Sequence, residues 1–171
     1  MVLGWYKCLF SGLEVGKSVS FGRGVYVNVE NRGRLKIGAG TKILAGAEII
    51  AGGKLLIGAN AHIGRGAVIV AHEQVRIGDN ALIAEFVTIR DQDHVIVGSA
   101  EPYNRQGSLT AAIEIGDNVW LGSKVTVLKG VTIGAGCVVG ANAVVVHDLP
   151  PRSVCVGAPA RPIRALNDTP A

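Results

Sequence analysis

Residues 113–145 read IEIGDNVWLGSKVTVLKGVTIGAGCVVGANAVV, and an aliphatic residue returns at every sixth position: Ile115, Leu121, Val127, Ile133, Val139 and Val145. Gly116, Gly122, Gly134 and Gly140 directly follow four of them. Upstream the same beat runs through Ile77, Ile83 and Ile89, through Ile57, Ile63 and Ile69, through Ile37, Ile43 and Ile49, and more loosely through Val15, Phe21 and Val27. The phase slips by two residues from Ile49 to Ile57 and from Ile69 to Ile77. The joins carry an aliphatic-x-aliphatic-Gly step: Leu13-Glu-Val15-Gly, Leu35-Lys-Ile37-Gly, Leu55-Leu-Ile57-Gly, Val75-Arg-Ile77-Gly and Ile113-Glu-Ile115-Gly. A period of six fits neither the 3.6 of a helix nor the simple alternation of a strand. It fits a chain that makes a short strand and then turns a corner, with the aliphatic side chain inward and a Gly or Asn bending the backbone. Three hexads close one triangular coil, and coils stacked about 4.8 Å apart pair their backbone groups with one another. About six such coils fit between Leu13 and Leu149, more than the three a solenoid needs. A β-sandwich would show turn signals at intervals of about 8 to 12 residues, and this sequence does not. The predicted organisation is a lead segment over 1–12, an all-β parallel helix over 13–149 with a protruding loop at 97–112, and a tail over 150–171.

The composition agrees with that architecture. Hydrophobic residues make up 49% of the 171 positions but aromatics only 5%, and there are 24 glycines. The core must therefore be built of Val, Ile, Leu and Ala. No apolar run approaches the roughly 18 residues of a membrane helix, and Met1 to Leu13 lacks the layout of a secretory leader, so a soluble, cytoplasmic chain is expected. Cys8, Cys137 and Cys155 are an odd set without metal-ligand spacing, which points to reduced thiols, with Cys137 and Cys155 as small core residues. A formal charge of +4 spread along the chain argues against nucleic acid and suits a phosphate-bearing small molecule.

The repeat breaks once. After Ile89 the chain runs into Arg90-Asp-Gln-Asp-His94, leaves the hexad pattern from about Val97 to Ala112, and resumes at Ile113. A polar excursion from a strict solenoid is the natural place for a site. Within it His94 is the residue suited to accept a proton near neutral pH.

Three motifs in order now carry a resemblance: Ile77-Gly-Asp-Asn-Ala-Leu-Ile-Ala-Glu-Phe-Val-Thr-Ile-Arg-Asp-Gln-Asp-His94, Ile115-Gly-Asp-Asn-Val-Trp-Leu-Gly122 and Gly157-Ala-Pro-Ala-Arg-Pro-Ile-Arg164. The chain resembles the hexapeptide-repeat acyltransferases, and within them the galactoside, maltose and surface-polysaccharide O-acetyltransferases. That resemblance implies a left-handed coil, a homotrimer with sites between neighbouring prisms, and acetyl-CoA as donor to a sugar or glycan-precursor hydroxyl. It implies that His94 is the catalytic base in a direct transfer. It places the CoA groove at Trp120, Ser123, Ala141, Val146, Arg161 and Arg164, where small residues admit a pantetheine arm and arginines suit phosphates. His72 matches a position where such enzymes carry an acceptor-binding acid, so the change to His departs from galactoside-like specificity. Glu85, Asp91, Asp93, Tyr103 and Asn104 are further acceptor candidates, although a corner aspartate commonly serves its own turn. His62 and His147 read as ordinary surface residues.

Two rivals use the same scaffold. A γ-type carbonic anhydrase needs three histidines around zinc, two of them spaced His-x4-His, and His94 has no such partner. No metal site is therefore expected. A non-catalytic β-helix scaffold would need neither the His94 loop nor the arginine-bearing tail.

Overall fold

A computed structural model describes residues 12–30, 32–98 and 100–166. The lead segment up to residue 11, with Cys8, and the end of the tail at 167–171 lie outside the described residues. The first coil consists of β1 (Leu13–Val15), β2 (Ser20–Phe21) and β3 (Tyr26–Val29). The second is β4 (Arg34–Ile37), β5 (Lys42–Ile43) and β6 (Glu48–Ala51), and the third is β7 (Lys54–Ile57), β8 (His62–Ile63) and β9 (Val68–Ala71). The fourth is β10 (Gln74–Ile77), β11 (Leu82–Ile83) and β12 (Thr88–Arg90). A hairpin of β13 (Gln92–His94) and β14 (Ser108–Thr110) follows. The fifth coil is β15 (Ile113–Ile115), β16 (Trp120–Leu121) and β17 (Thr126–Val127), and the sixth is β18 (Thr132–Ile133), β19 (Val138–Val139) and β20 (Val144–Val145). β21 (Ser153–Val156) and β22 (Arg161–Ala165) end the chain.

The first, second and third strands of successive coils stack into faces A, B and C, and faces A and C are six-stranded. All strand pairs between coils are parallel and in matching register. Ile37, Ile57, Ile77, Ile115 and Ile133 form one inward ladder on face A, and Ile49, Ile69, Ile89, Val127 and Val145 form another on face C. The parallel β-helix expected from the hexads is the fold. Among the described residues, no helix is long and apolar enough to cross a membrane.

Each hexad buries a second side chain as well, two residues before the aliphatic one. Ala47, Ala61, Ala67, Ala81, Val87, Val119, Val125, Val131, Cys137 and Ala143 are all buried. Residues i and i+2 of an extended segment share a face, so both members of such a pair enter the prism. The smaller member sits just past the corner, where room is least. The corner itself often takes left-handed backbone, which is why Asn60, Asn80, Asn118 and Asn142 recur there, as asparagine tolerates that conformation better than most residues.

Two boundaries differ from the sequence reading. The excursion from the solenoid begins at Gln92 rather than Val97, because β13 already pairs antiparallel with β14. The solenoid also continues past Leu149. Leu149 bridges to Ile133 on face A, β21 pairs parallel with β19 on face B, and the Gly157–Ala160 turn bonds to both backbone groups of Val144 on face C. β22 then runs antiparallel along β21.

Cys137 and Cys155 are free and buried inside this last turn, with their sulfurs 3.8 Å apart. Burial pushes the Cys137 thiol from its ordinary 9.0 up to about 11, against the opposing pull of the Ser153 hydroxyl. The folded state therefore holds the Cys137 proton over a pH range in which the unfolded chain gives it up. Its stabilising contribution is complete below pH 9 and is lost as pH climbs toward 11. Urea unfolding across that range should show stability falling more steeply in the wild type than in Cys137→Val, and equal slopes would refute this.

Candidate active site

The hairpin leaves the prism where face C gives way to face A. At the same corner the coil below carries His72 and Glu73. Asp91, fully buried, reaches down to them: its two carboxylate oxygens accept the backbone N–H groups of His72 and Glu73, each at 2.8 Å. One stride further, Asp93 forms an ion pair with Lys129 of the coil above at 3.0 Å. His94, opposite Ser108 across the hairpin, is exposed, and its imidazole has no hydrogen bond or ion pair among the described residues. Tyr103 and Asn104 lie on a single 3₁₀ turn, Tyr103–Arg105, at the exposed far part of the hairpin.

Trp120 lies elsewhere, on face B. The pairing His62, Leu82, Trp120, Val138, Val154, Arg164 runs up that face in continuous register. Three strand spacings, about 14 Å, separate Trp120 from Arg164 along this column. Beside the indole a groove of about 330 Å³ is lined by Leu44, His62, Arg65, Leu82, Glu85 and Trp120, together with Gly64 and Ala84. At its rim, where face B turns into face C, the Ser123 hydroxyl lies 3.3 Å from the Glu85 carbonyl. The Glu85 carboxyl is held below its ordinary value chiefly by its own backbone N–H, then by the Ser123 hydroxyl and, more weakly, by Lys124. One hydroxyl proton cannot serve carbonyl and carboxylate at once, so the two oxygens compete for it. Phe86 and Lys124 take left-handed backbone at this edge, φ 57° and 59°, which is uncommon for side chains of their size.

The expected donor residues are thus partly gathered. Trp120, Ser123 and Ala141 follow face B and its edge, Arg161 and Arg164 continue it on β22, and Val146 stands apart at the corner from which the hairpin springs. The expected acceptor residues divide as well. His72, Asp93 and His94 share the hairpin corner, Glu85 belongs to the face B groove, and Tyr103 and Asn104 project away on the hairpin. Asp91 is buried rather than open to an acceptor, and its two oxygens serve the corner of the coil below rather than its own turn. The sequence reading took His62 for an ordinary surface residue and did not single out Leu44, Arg65 or Leu82. His62 and Leu82 stack in register on face B and Leu44 and Arg65 line the same groove beside them, a signal visible only once the hexads are aligned coil on coil.

The corner carrying His94 is opposite face B in a three-sided prism. One chain therefore does not bring His94 and Trp120 together. Among the described residues no three His, Cys, Asp or Glu are grouped as a metal would require.

Residues 112–147 match the model of the bacterial transferase hexapeptide, six repeats. That stretch of the chain carries the hexapeptide repeat. Over 100 residues this repeat protein is 42% identical to galactoside O-acetyltransferase of Escherichia coli, covering 58% of this chain and 48% of that one. Among solved structures it is similar to a hexapeptide-repeat acetyltransferase of Vibrio cholerae complexed with acetyl-coenzyme A. The TM-score is 0.61 at 29% identity, covering 90% of this chain and 70% of that one. An N-acyltransferase of Bacillus cereus, in complex with dTDP and 3-hydroxybutyryl-CoA, superposes with a TM-score of 0.80 at 24% identity, over 91% and 85% of the two chains. That last likeness is one of fold. The chain spans between 33% and 54% of the length of the first curated relatives it matches.

Removing the Asp91 carboxylate leaves two N–H donors without acceptors. Hydrogen bonds to charged groups are worth about 1.5–3 kcal/mol each, so Asp91→Ala should cost about 3 kcal/mol or more and lower Tm by roughly 6–12 °C. A calorimetric scan with unchanged Tm would restore Asp91 to the acceptor set.

Proposed function

We propose that this protein is an acyltransferase that moves the acetyl group of acetyl-CoA onto a hydroxyl of a sugar or glycan precursor, working as a homotrimer in the cytoplasm, where acetyl-CoA is made, in surface-polysaccharide biosynthesis. The observation that carries the reading is the long interruption of the solenoid after β12: it presents His94, a histidine without a partner among the described residues, on the hairpin that leaves the hexads there. The 42% identity to a galactoside O-acetyltransferase and the likeness to an acetyl-CoA-bound hexapeptide-repeat acetyltransferase support the donor and the acceptor class.

In this reading the His94 imidazole takes the proton of the acceptor hydroxyl as its oxygen attacks the thioester carbonyl. A C–O bond forms, the C–S bond breaks, and the CoA thiolate leaves and is protonated by the imidazolium. No covalent enzyme intermediate arises. Arg161 and Arg164 meet phosphates of the donor, and the small residues at the edge of face B let its arm lie along the backbone. Trp120 flanks that arm.

Because His94 and Trp120 lie on opposite sides of one prism, the site is assembled from two copies. Exposed apolar residues on both elements support that arrangement: Ile96, Val97, Tyr103 and Leu109 on the hairpin, and Leu82, Phe86 and Trp120 on face B. Neighbouring prisms in a closed ring would cover both.

His94→Ala should lower turnover about 10²- to 10⁴-fold, the usual contribution of a positioned base, with Tm unchanged because the side chain is exposed. Near-normal turnover by a folded His94→Ala protein would remove it as the base. A shared site has a second consequence. His94→Ala and Trp120→Ala, each impaired alone, should regain about a quarter of wild-type activity when co-assembled from equal amounts, since one interface in four pairs an intact His94 with an intact Trp120. No recovery in verified mixed trimers would mean that each chain holds its own site.

A further inference from the structure

At the corner below the hairpin, His72 faces a carboxylate that the fold brings from two coils away. Glu30 ends the first coil at the face C to face A corner, Gly52 lies at that corner in the second coil, and His72 lies there in the third. The Gly52 α-carbon carries no side chain. A methyl group built on it would stand 2.7 Å from Oε2 of Glu30 and 3.1 Å from Nδ1 of His72. A carboxylate from below and an imidazole from above thus face one small open space over that glycine.

Neither side chain has a hydrogen bond or ion pair among the described residues, and both are exposed. Gly52 has an ordinary negative φ, so its backbone does not require glycine. A side chain at this position would displace the ends of both groups from the space they share. The space is also tied to the histidine on the hairpin. Asp91 holds the His72 backbone at 2.8 Å, and β13 leads from Asp91 to His94 within three residues, a reach of about 10 Å at most.

We propose that Glu30 and His72, meeting over Gly52, form the hydroxyl-binding subsite for the acceptor, with the Glu30 carboxylate accepting a pair of neighbouring hydroxyls on an uncharged sugar ring. The inference rests on the acyltransferase reading for its substrate class. A carboxylate takes two O–H donors in a near-planar fork, and the imidazole offers one donor and one acceptor to the ring oxygens beside them. A phosphate or uronate at that end of the acceptor would meet the Glu30 charge and be rejected. Glu30 is then the residue that sets acceptor specificity.

The test uses the full chain with saturating CoA and a panel of methyl glucoside, methyl galactoside and methyl mannoside, with glucose 1-phosphate as the charged comparison. Binding is read by saturation-transfer NMR, and acetyl transfer from acetyl-CoA is measured on the same samples. Glu30→Gln keeps the shape and removes the charge, while Gly52→Ala keeps both polar groups and fills the space. The wild type should bind a neutral methyl glycoside in preference to the phosphate, and both variants should bind it about tenfold to a hundredfold more weakly, with the KM for acetyl-CoA unchanged. Equal binding by all three proteins, a preference for the phosphate, or no glycoside binding by the wild type would overturn the subsite. Transfer that is equally fast in wild type and Glu30→Gln would overturn it while leaving the acyltransferase intact. Glycoside binding that depends on Glu30 and Gly52 but comes without any acetyl transfer would support the subsite and defeat the acyltransferase.

Discussion

Everything in this molecule depends on register. A parallel coil can pair with the coil beneath it only if the same positions turn inward at each level, since a slip of one residue would bring polar side chains into the prism. The ladder Ile37, Ile57, Ile77, Ile115, Ile133 is that constraint written in side chains. It holds across the hairpin. β10 and β15 are far apart in sequence yet pair as if consecutive, with Ile77 opposite Ile115. The solenoid therefore treats the insertion as external, and the hairpin is free to carry chemistry without disturbing the core.

That separation explains what could be read from the sequence. The inward aliphatic residues repeat strictly because the fold cannot relax them, so the strand stacking and the existence of an interruption after Ile89 were legible. The second inward residue of each hexad was harder to see, because Ala, Val and Cys alternate there without an obvious beat. The end of the solenoid was misplaced for a physical reason as well. At Pro150-Pro151 the hexad spacing fails, yet Ser153–Val156 still pairs with β19 through backbone groups that no hydrophobic pattern reveals.

The site was legible only in part. His94 stands out because it breaks a repeat. Asp91 looks like a second functional group from its position, but its role depends on two N–H groups in another coil. The meeting of Glu30 with His72 is invisible in the chain, since 42 positions of sequence separate residues that the helix sets two storeys apart. The groove on face B has the same character: Leu44, His62 and Leu82 become neighbours only through stacking. In a solenoid the side chains that act together are those that share a corner or a column, and sequence distance says little about either.

The closing turn bears on how copies of this chain can meet. A stack of parallel strands that simply stopped would offer a row of free N–H and C=O groups, ready to receive the first coil of another molecule. Here Gly157–Ala160 occupies that row on face C, and β22 reverses direction along face B, so the last rung is antiparallel to those below it. Among the described residues, faces B and C offer a growing filament no parallel template at this pole. Self-association is thereby steered to the flanks of the prism, where the hairpin and the column of Trp120 are displayed.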